Sequence, residues 1–112
     1  MDIIKRTIMK VNSKEIASVL GISEAHIPLL VGSFLDESKD ILENLFSGIA
    51  AKNYAEITLH AHSIKGSAAN LRFNDISELA KSIELAGKAE DGSFAYDERS
   101  KELKALIEAV EL

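Results

Sequence analysis

Residues 54–71 read YAEITLHAHSIKGSAANL. Tyr54, Ile57, Ala61, Ile64, Ala68 and Leu71 recur at steps of three and four, which is one continuous seam along a helix. His60, His62, Lys65 and Gly66 lie off that seam. At about 100° per residue, His62 falls roughly 130° from the seam centre, on the outer side. Lys65 lies about 60° around from His62 toward one flank, and Gly66 about 40° the other way. Both are one turn along the helix, and so are surface neighbours of the imidazole.

The flanking sequence repeats the helical signal. Upstream, Ile27, Leu30, Val31, Phe34, Leu35, Ile41, Leu42, Leu45 and Ile49 keep helical spacing over about six turns. Ser23 is expected to cap that helix, with Pro28 in or near its first turn, where a missing N–H costs little. A shorter helix, KEIASVL, would be capped by Ser13 and ended by Gly21. AAKNYAE is a break with Asn53 as the next cap. Downstream, RFND interrupts, and Asn74 or Asp75 would cap a helix with Ile76, Leu79, Ala80, Ile83 and Ala86 inward. GKAEDGS reads as a loop. The last helix runs from near Tyr96 to Val110, with Leu103, Leu106, Ile107 and Val110 inward. No strand alternation is sustained, and no internal repeat is visible.

Four substantial helices with short connections predict an all-α, antiparallel four-helix bundle with an additional short N-terminal helix. A single domain over residues 1–112 is expected from length. Residues 1–12 can be read as a helical turn, an extended arm or a flexible end.

Composition narrows the function. Apolar residues make up 46% of the 112, with one proline and six glycines, which suits a packed core. There is no cysteine, so disulfides and thiolate metal sites are excluded. A net charge of −5 argues against nucleic acid, which calls for a basic face. No apolar run reaches membrane-spanning length. A cytoplasmic, monomeric protein is expected.

The outer face of the 54–71 helix is unusual. Ala55, Leu59, His62, Gly66 and Ala69 form a second column, small except at Leu59 and His62. A solvated face normally carries Glu, Lys or Gln there. A mid-helix glycine costs about 1 kcal/mol against alanine, so some gain should offset it. A surface cleared of bulk around one histidine suits close approach by another protein. Exposed imidazoles are good nucleophiles near neutral pH, and one ring nitrogen can react while the other is held by a hydrogen bond. Phosphoryl transfer rests on positioning and charge stabilisation, and Lys65 offers a cation one turn away.

The motif AHSIKGSAANL resembles the signature of the histidine-containing phosphotransfer (HPt) domains of bacterial and fungal phosphorelays. The matching positions are His62, Lys65, Gly66, the small residues Ser67 and Ala68, then Asn70 and Leu71. LLVGSFLDESKDILENL looks like that family's preceding helix, and ISELAKSIELAGKAEDG like the following one. The resemblance spans roughly residues 22–92, with the last helix fitting by pattern.

It implies a relay role. His62 would accept a phosphoryl group from a receiver-domain aspartyl phosphate, or a histidine kinase, and pass it to another receiver aspartate. Lys65 would favour the phosphorylated state. Glu84 would orient the imidazole. Ala55, Leu59, Gly66, Ser67, Ala69 and Asn70 would form the docking surface for receivers and a sensor kinase. No independent catalytic turnover is implied, and no resident cofactor: the magnesium for transfer would belong to the receiver. One departure stands out. The family usually has glycine after the leucine, and this chain has Arg72, which puts the local turn in question.

Other readings compete. The chain could be a phosphoacceptor domain excised from a hybrid or chemotaxis-type kinase, or a helical binding module that carries no phosphate. It could also dimerise through the outer column. His60 is expected at the bundle edge, and His26 solvated in the first turn of its helix. His60 and His62 lie about 200° apart, which disfavours a shared metal. Glu84 could equally be a plain charge on an exposed flank, Leu59 could belong to the edge of the core, and DESKD reads as a solvated face.

Overall fold

The computed structural model describes residues 9–111. Its helices are α1 (Ser13–Leu20), α2 (Ile27–Ala50), α3 (Tyr54–Asn70), α4 (Asn74–Lys88) and α5 (Tyr96–Glu108). A 3₁₀ turn, Glu24–His26, precedes α2. Two short strands, β1 (Met9–Lys10) and β2 (Val110–Glu111), pair in parallel, with Met9 opposite Val110. The open question about residues 1–12 is therefore answered in part: residues 9 and 10 are extended, and residues 1–8 lie outside the described residues.

Helix α2 packs on α3 and α5, and α4 packs on the same two, so the four helices close a ring around one core. Helices α3 and α4 run antiparallel. Gly87 lies against Thr58, Glu84 reaches His62, and Ser77 reaches the Lys65 carbonyl, so rising numbers on one helix meet falling numbers on the other. Helix α1 packs beside the start of α2. The molecule is an all-α bundle with a short N-terminal helix, as the periodicity predicts.

The seam of α3 explains why the bundle closes. Ile57, Ala61, Ile64 and Ala68 are wholly inside, opposite Val31 and Leu45 of α2, Ile76 and Ile83 of α4, and Leu103 of α5. Each large aliphatic side chain so buried contributes about 1.5–3 kcal/mol. Phe34 and Phe73 meet edge to face, their centroids 5.4 Å apart, where α2 passes the α3–α4 turn.

Helix ends are where the structure corrects the expectations. Asn53 caps α3 as expected, its Oδ1 accepting from the Glu56 N–H at 3.2 Å. Asn12, not Ser13, caps α1, accepting from the Glu15 N–H. Ser23 caps the 3₁₀ turn and not α2 itself. His26 accordingly sits at the end of that turn, and it is exposed. Neither Asn74 nor Asp75 caps α4. Phe73 holds that position with no side-chain bond, and its buried ring fixes the entry of the chain. Asp75 lies in the first turn, where a carboxylate favours the helix dipole. Helix α5 ends at Glu108, and Val110 is buried from β2 instead. Gly87 and Lys88 belong to α4, so the loop is shorter than GKAEDGS suggests. Within DESKD, Ser38 is buried. Among the described residues, no single helix is long and apolar enough to cross a membrane.

Candidate functional site

The outer column of α3 is open to solvent. Ala55, Leu59, His62, Gly66, Ala69 and Asn70 are exposed, and Ser67 is half-buried. The His62 side chain keeps 63% of its surface in solvent, midway along the column. Leu59 is 56% exposed, so it belongs to this face and not to the core edge. His60 is a packed edge residue, its Nε2 2.9 Å from Glu56 of the same helix.

Glu84 is the centre of the site and the least expected part of it. It is 4% exposed, on the side of α4 that meets α3, and not on a solvated flank. One carboxylate oxygen, Oε2, lies 2.7 Å from His62 Nδ1, and the other, Oε1, lies 2.8 Å from Lys65 Nζ. The hydrogen bond from Lys65, and then that from His62, holds the carboxyl below its ordinary value, against the upward push of burial. Glu84 is therefore ionised at neutral pH, and a carboxylate can only accept. Nδ1 of His62 must then carry a hydrogen, and in the neutral ring this leaves the lone pair on Nε2, the nitrogen away from Glu84.

Two close approaches hold this geometry. Gly87, one turn beyond Glu84, lets α4 reach α3: a Cβ there would sit 2.6 Å from Thr58 Oγ1. At the other end, Ser77 Oγ donates to the Lys65 carbonyl at 3.2 Å. Gly66 differs, because a Cβ on it would meet nothing within 4 Å. Among the described residues, no contact requires that glycine. Gly32 is equally open, so openness by itself assigns no role.

Arg72 keeps the turn that a glycine would make. Its φ is +65°, left-handed, and Phe73 N–H donates to Ala68 O at 2.9 Å, closing the helix end. The departure at this position leaves the end of α3 intact.

Sequence reasoning missed two residues beside His62. Thr58 and Lys88 line a shallow depression of about 390 Å³ together with Ala55, Leu59, His62 and Glu84. Lys88 follows Glu84 by four residues, so the i, i+4 spacing could have pointed to it. Among the described residues, no three His, Asp or Glu side chains are grouped as a metal site.

A family model for the Hpt domain matches residues 29–111. No curated protein and no solved structure matches the chain significantly. The match spans well over half the chain, and the chain belongs to the Hpt domain family.

Proposed function

We propose that the chain is a phosphorelay intermediate that carries a phosphoryl group on Nε2 of His62. The observation that carries this reading is the bond from Nδ1 to a buried, ionised Glu84, which in the neutral ring leaves the lone pair on Nε2. The Nε2 lone pair attacks the phosphorus of an aspartyl phosphate on a receiver domain. The N–P bond forms as the P–O bond to the aspartate breaks, and the carboxylate leaves with the electron pair. The ring becomes cationic as the bond forms, and Glu84 offsets that charge from the Nδ1 side. Lys65, one turn along and already held by Glu84, adds positive charge beside the phosphoryl oxygens. The reverse sequence delivers the group to a second receiver. Magnesium is expected in the receiver's acidic pocket.

Gly66 and its small neighbours suit the docking face, since a side chain there would project into open space beside His62 that a docking partner would need. The test is phosphotransfer from a phosphorylated receiver with Mg²⁺ to the wild type and to His62→Gln. Wild type should gain an acid-labile, base-stable label, and the variant none. A labelled His62→Gln protein would place the acceptor elsewhere.

A further inference from the structure

The depression beside His62 is lined by Ala55, Thr58, Leu59, His62, Glu84 and Lys88. Ala55 and Leu59 bring no polar side-chain atom to it. Thr58 Oγ1 donates to the Tyr54 carbonyl at 2.8 Å, so that hydroxyl hydrogen is committed. Both oxygens of Glu84 are committed as well, Oε2 to His62 and Oε1 to Lys65. Lys88 differs. It is exposed, and among the described residues it forms no ion pair. Its ammonium is therefore the uncommitted side-chain donor of the depression, whereas Lys65 is held 2.8 Å from a buried carboxylate.

The backbone brings that ammonium to the histidine. Gly87 seats α4 against Thr58, and Lys88 is the next residue. Lys88 follows Glu84 by four residues, which puts the two on one side of α4, about 6 Å apart along its axis. Glu84 meets His62, so Lys88 starts one turn from the imidazole, on a flexible four-carbon stem.

Charge balance points the same way. Lys65 and Glu84 cancel each other. A phosphoryl group brings up to about two negative charges near neutral pH. A ring that keeps its Nδ1 hydrogen while bonded to phosphorus offsets one of them. The chain as a whole carries −5, so its net charge does not favour an incoming anion, and the second offset must be local.

We propose that Lys88 is a second catalytic cation of this site, contacting the phosphoryl oxygens from the depression while Lys65 stays with Glu84. The inference rests on the reading of His62 as phosphoacceptor. Phosphoramidate is the simplest donor that shows the step. The Nε2 lone pair forms the N–P bond as the donor's P–N bond breaks, and ammonia leaves with that electron pair. The Nδ1 hydrogen stays on the ring, bonded to Glu84. The transferred charge stays on the phosphoryl oxygens, where Lys88 meets it.

A lysine in the last turn of a helix also favours the dipole. That role alone would alter stability and leave transfer unchanged, so the experiment reads both. It compares wild type, Lys88→Gln, Lys88→Arg and Lys104→Gln. Lys104 lines the groove between α2 and α5, and its variant controls for the loss of one positive charge. Each protein is labelled by saturating phosphoramidate and by saturating amounts of the receiver that labels wild type fastest. Urea midpoints report the stability of each.

Lys88→Gln should lower the saturating rate about tenfold with either donor, less than the loss of an enclosed donor because this one is open to solvent. Lys88→Arg should keep most of the wild-type rate, and Lys104→Gln all of it. A saturating rate in Lys88→Gln equal to wild type would overturn the proposal, whatever its urea midpoint. So would a change confined to the receiver concentration needed for half-maximal labelling, since Lys88 would then serve docking alone. An equal loss in Lys104→Gln would overturn it too, by making the effect one of net charge. Each of these outcomes leaves the His62 reading intact. If neither donor labels the wild type, the His62 reading itself falls, and the role of Lys88 with it.

Discussion

Gly87 and Gly66 occupy neighbouring antiparallel helices at different levels of the bundle, and their surroundings are opposite. A Cβ at Gly87 would strike Thr58, while a Cβ at Gly66 would meet open space. The first is required by the fold. The second lowers helix stability by about 1 kcal/mol against alanine, with no contact among the described residues to offset it. Helix α3 shows the same division along its length. Its inner seam is fixed by α2, α4 and α5, and its outer column faces solvent. On the proposed reading, the cost at Gly66 is offset by the close approach of a partner beside His62.

The largest effect should come from filling the outer face. Gly66→Leu should slow receiver-driven transfer roughly a hundredfold, since small misplacements of reacting groups carry costs of that order. The same variant should unfold at higher urea than wild type, by about 1 kcal/mol of stability. Stability and transfer moving in opposite directions would sharpen the comparison. Transfer at the wild-type rate would break it. On the inner face the signs reverse: Gly87→Ala should lose about 1–3 kcal/mol by overpacking against Thr58. Urea unfolding of both variants measures the contrast directly.

The fold was largely legible because seams of apolar residues need only local spacing. The ends were less so. Asn53 was legible because it caps by its own side chain. Phe73 was not, because its place at the start of α4 is set by burial against α2, a contact between distant residues. Val110 was rightly read as inward, but it is held there by pairing with β1, which no period in the last helix could announce. At the site, His62, Lys65 and Gly66 share one helix, and their spacing placed them together. The burial of Glu84 depends on how closely α4 approaches α3, which Gly87 sets from one turn away. The resemblance supplied Glu84; periodicity left it between a partner of the histidine and a plain surface charge.

The Glu84 bridge joins the two faces, and pH tests it. A carboxyl held low in the fold contributes stability that is fully present above its unfolded value and lost as pH falls through its folded value. Its ordinary value is 4.5, and Lys65 and His62 hold it below that. The stability difference between wild type and Glu84→Gln should therefore persist from neutral pH down to about 4.5 and shrink below it. Urea midpoints at a series of pH values would show this. A difference that does not change with acid would mean that the carboxylate gains nothing from its two partners.

The smallest effect concerns Arg72, at the exposed end of α3. Its φ of +65° is left-handed, which costs a non-glycine residue about 1–2 kcal/mol. Glycine removes that strain but gives back about 0.5–1 kcal/mol through its greater freedom when unfolded. Arg72→Gly should thus stabilise the bundle by about 0.5–1 kcal/mol net, read as a higher urea midpoint with an unchanged slope. The turn itself should stay closed, because its bond from Phe73 N–H to Ala68 O is made by backbone alone. A stabilised variant would put Arg72 with Gly66, as a second outward residue kept against the preference of the fold. A destabilised one would mean that the arginine side chain serves the bundle, and would confine the division between inner and outer demands to the column around His62.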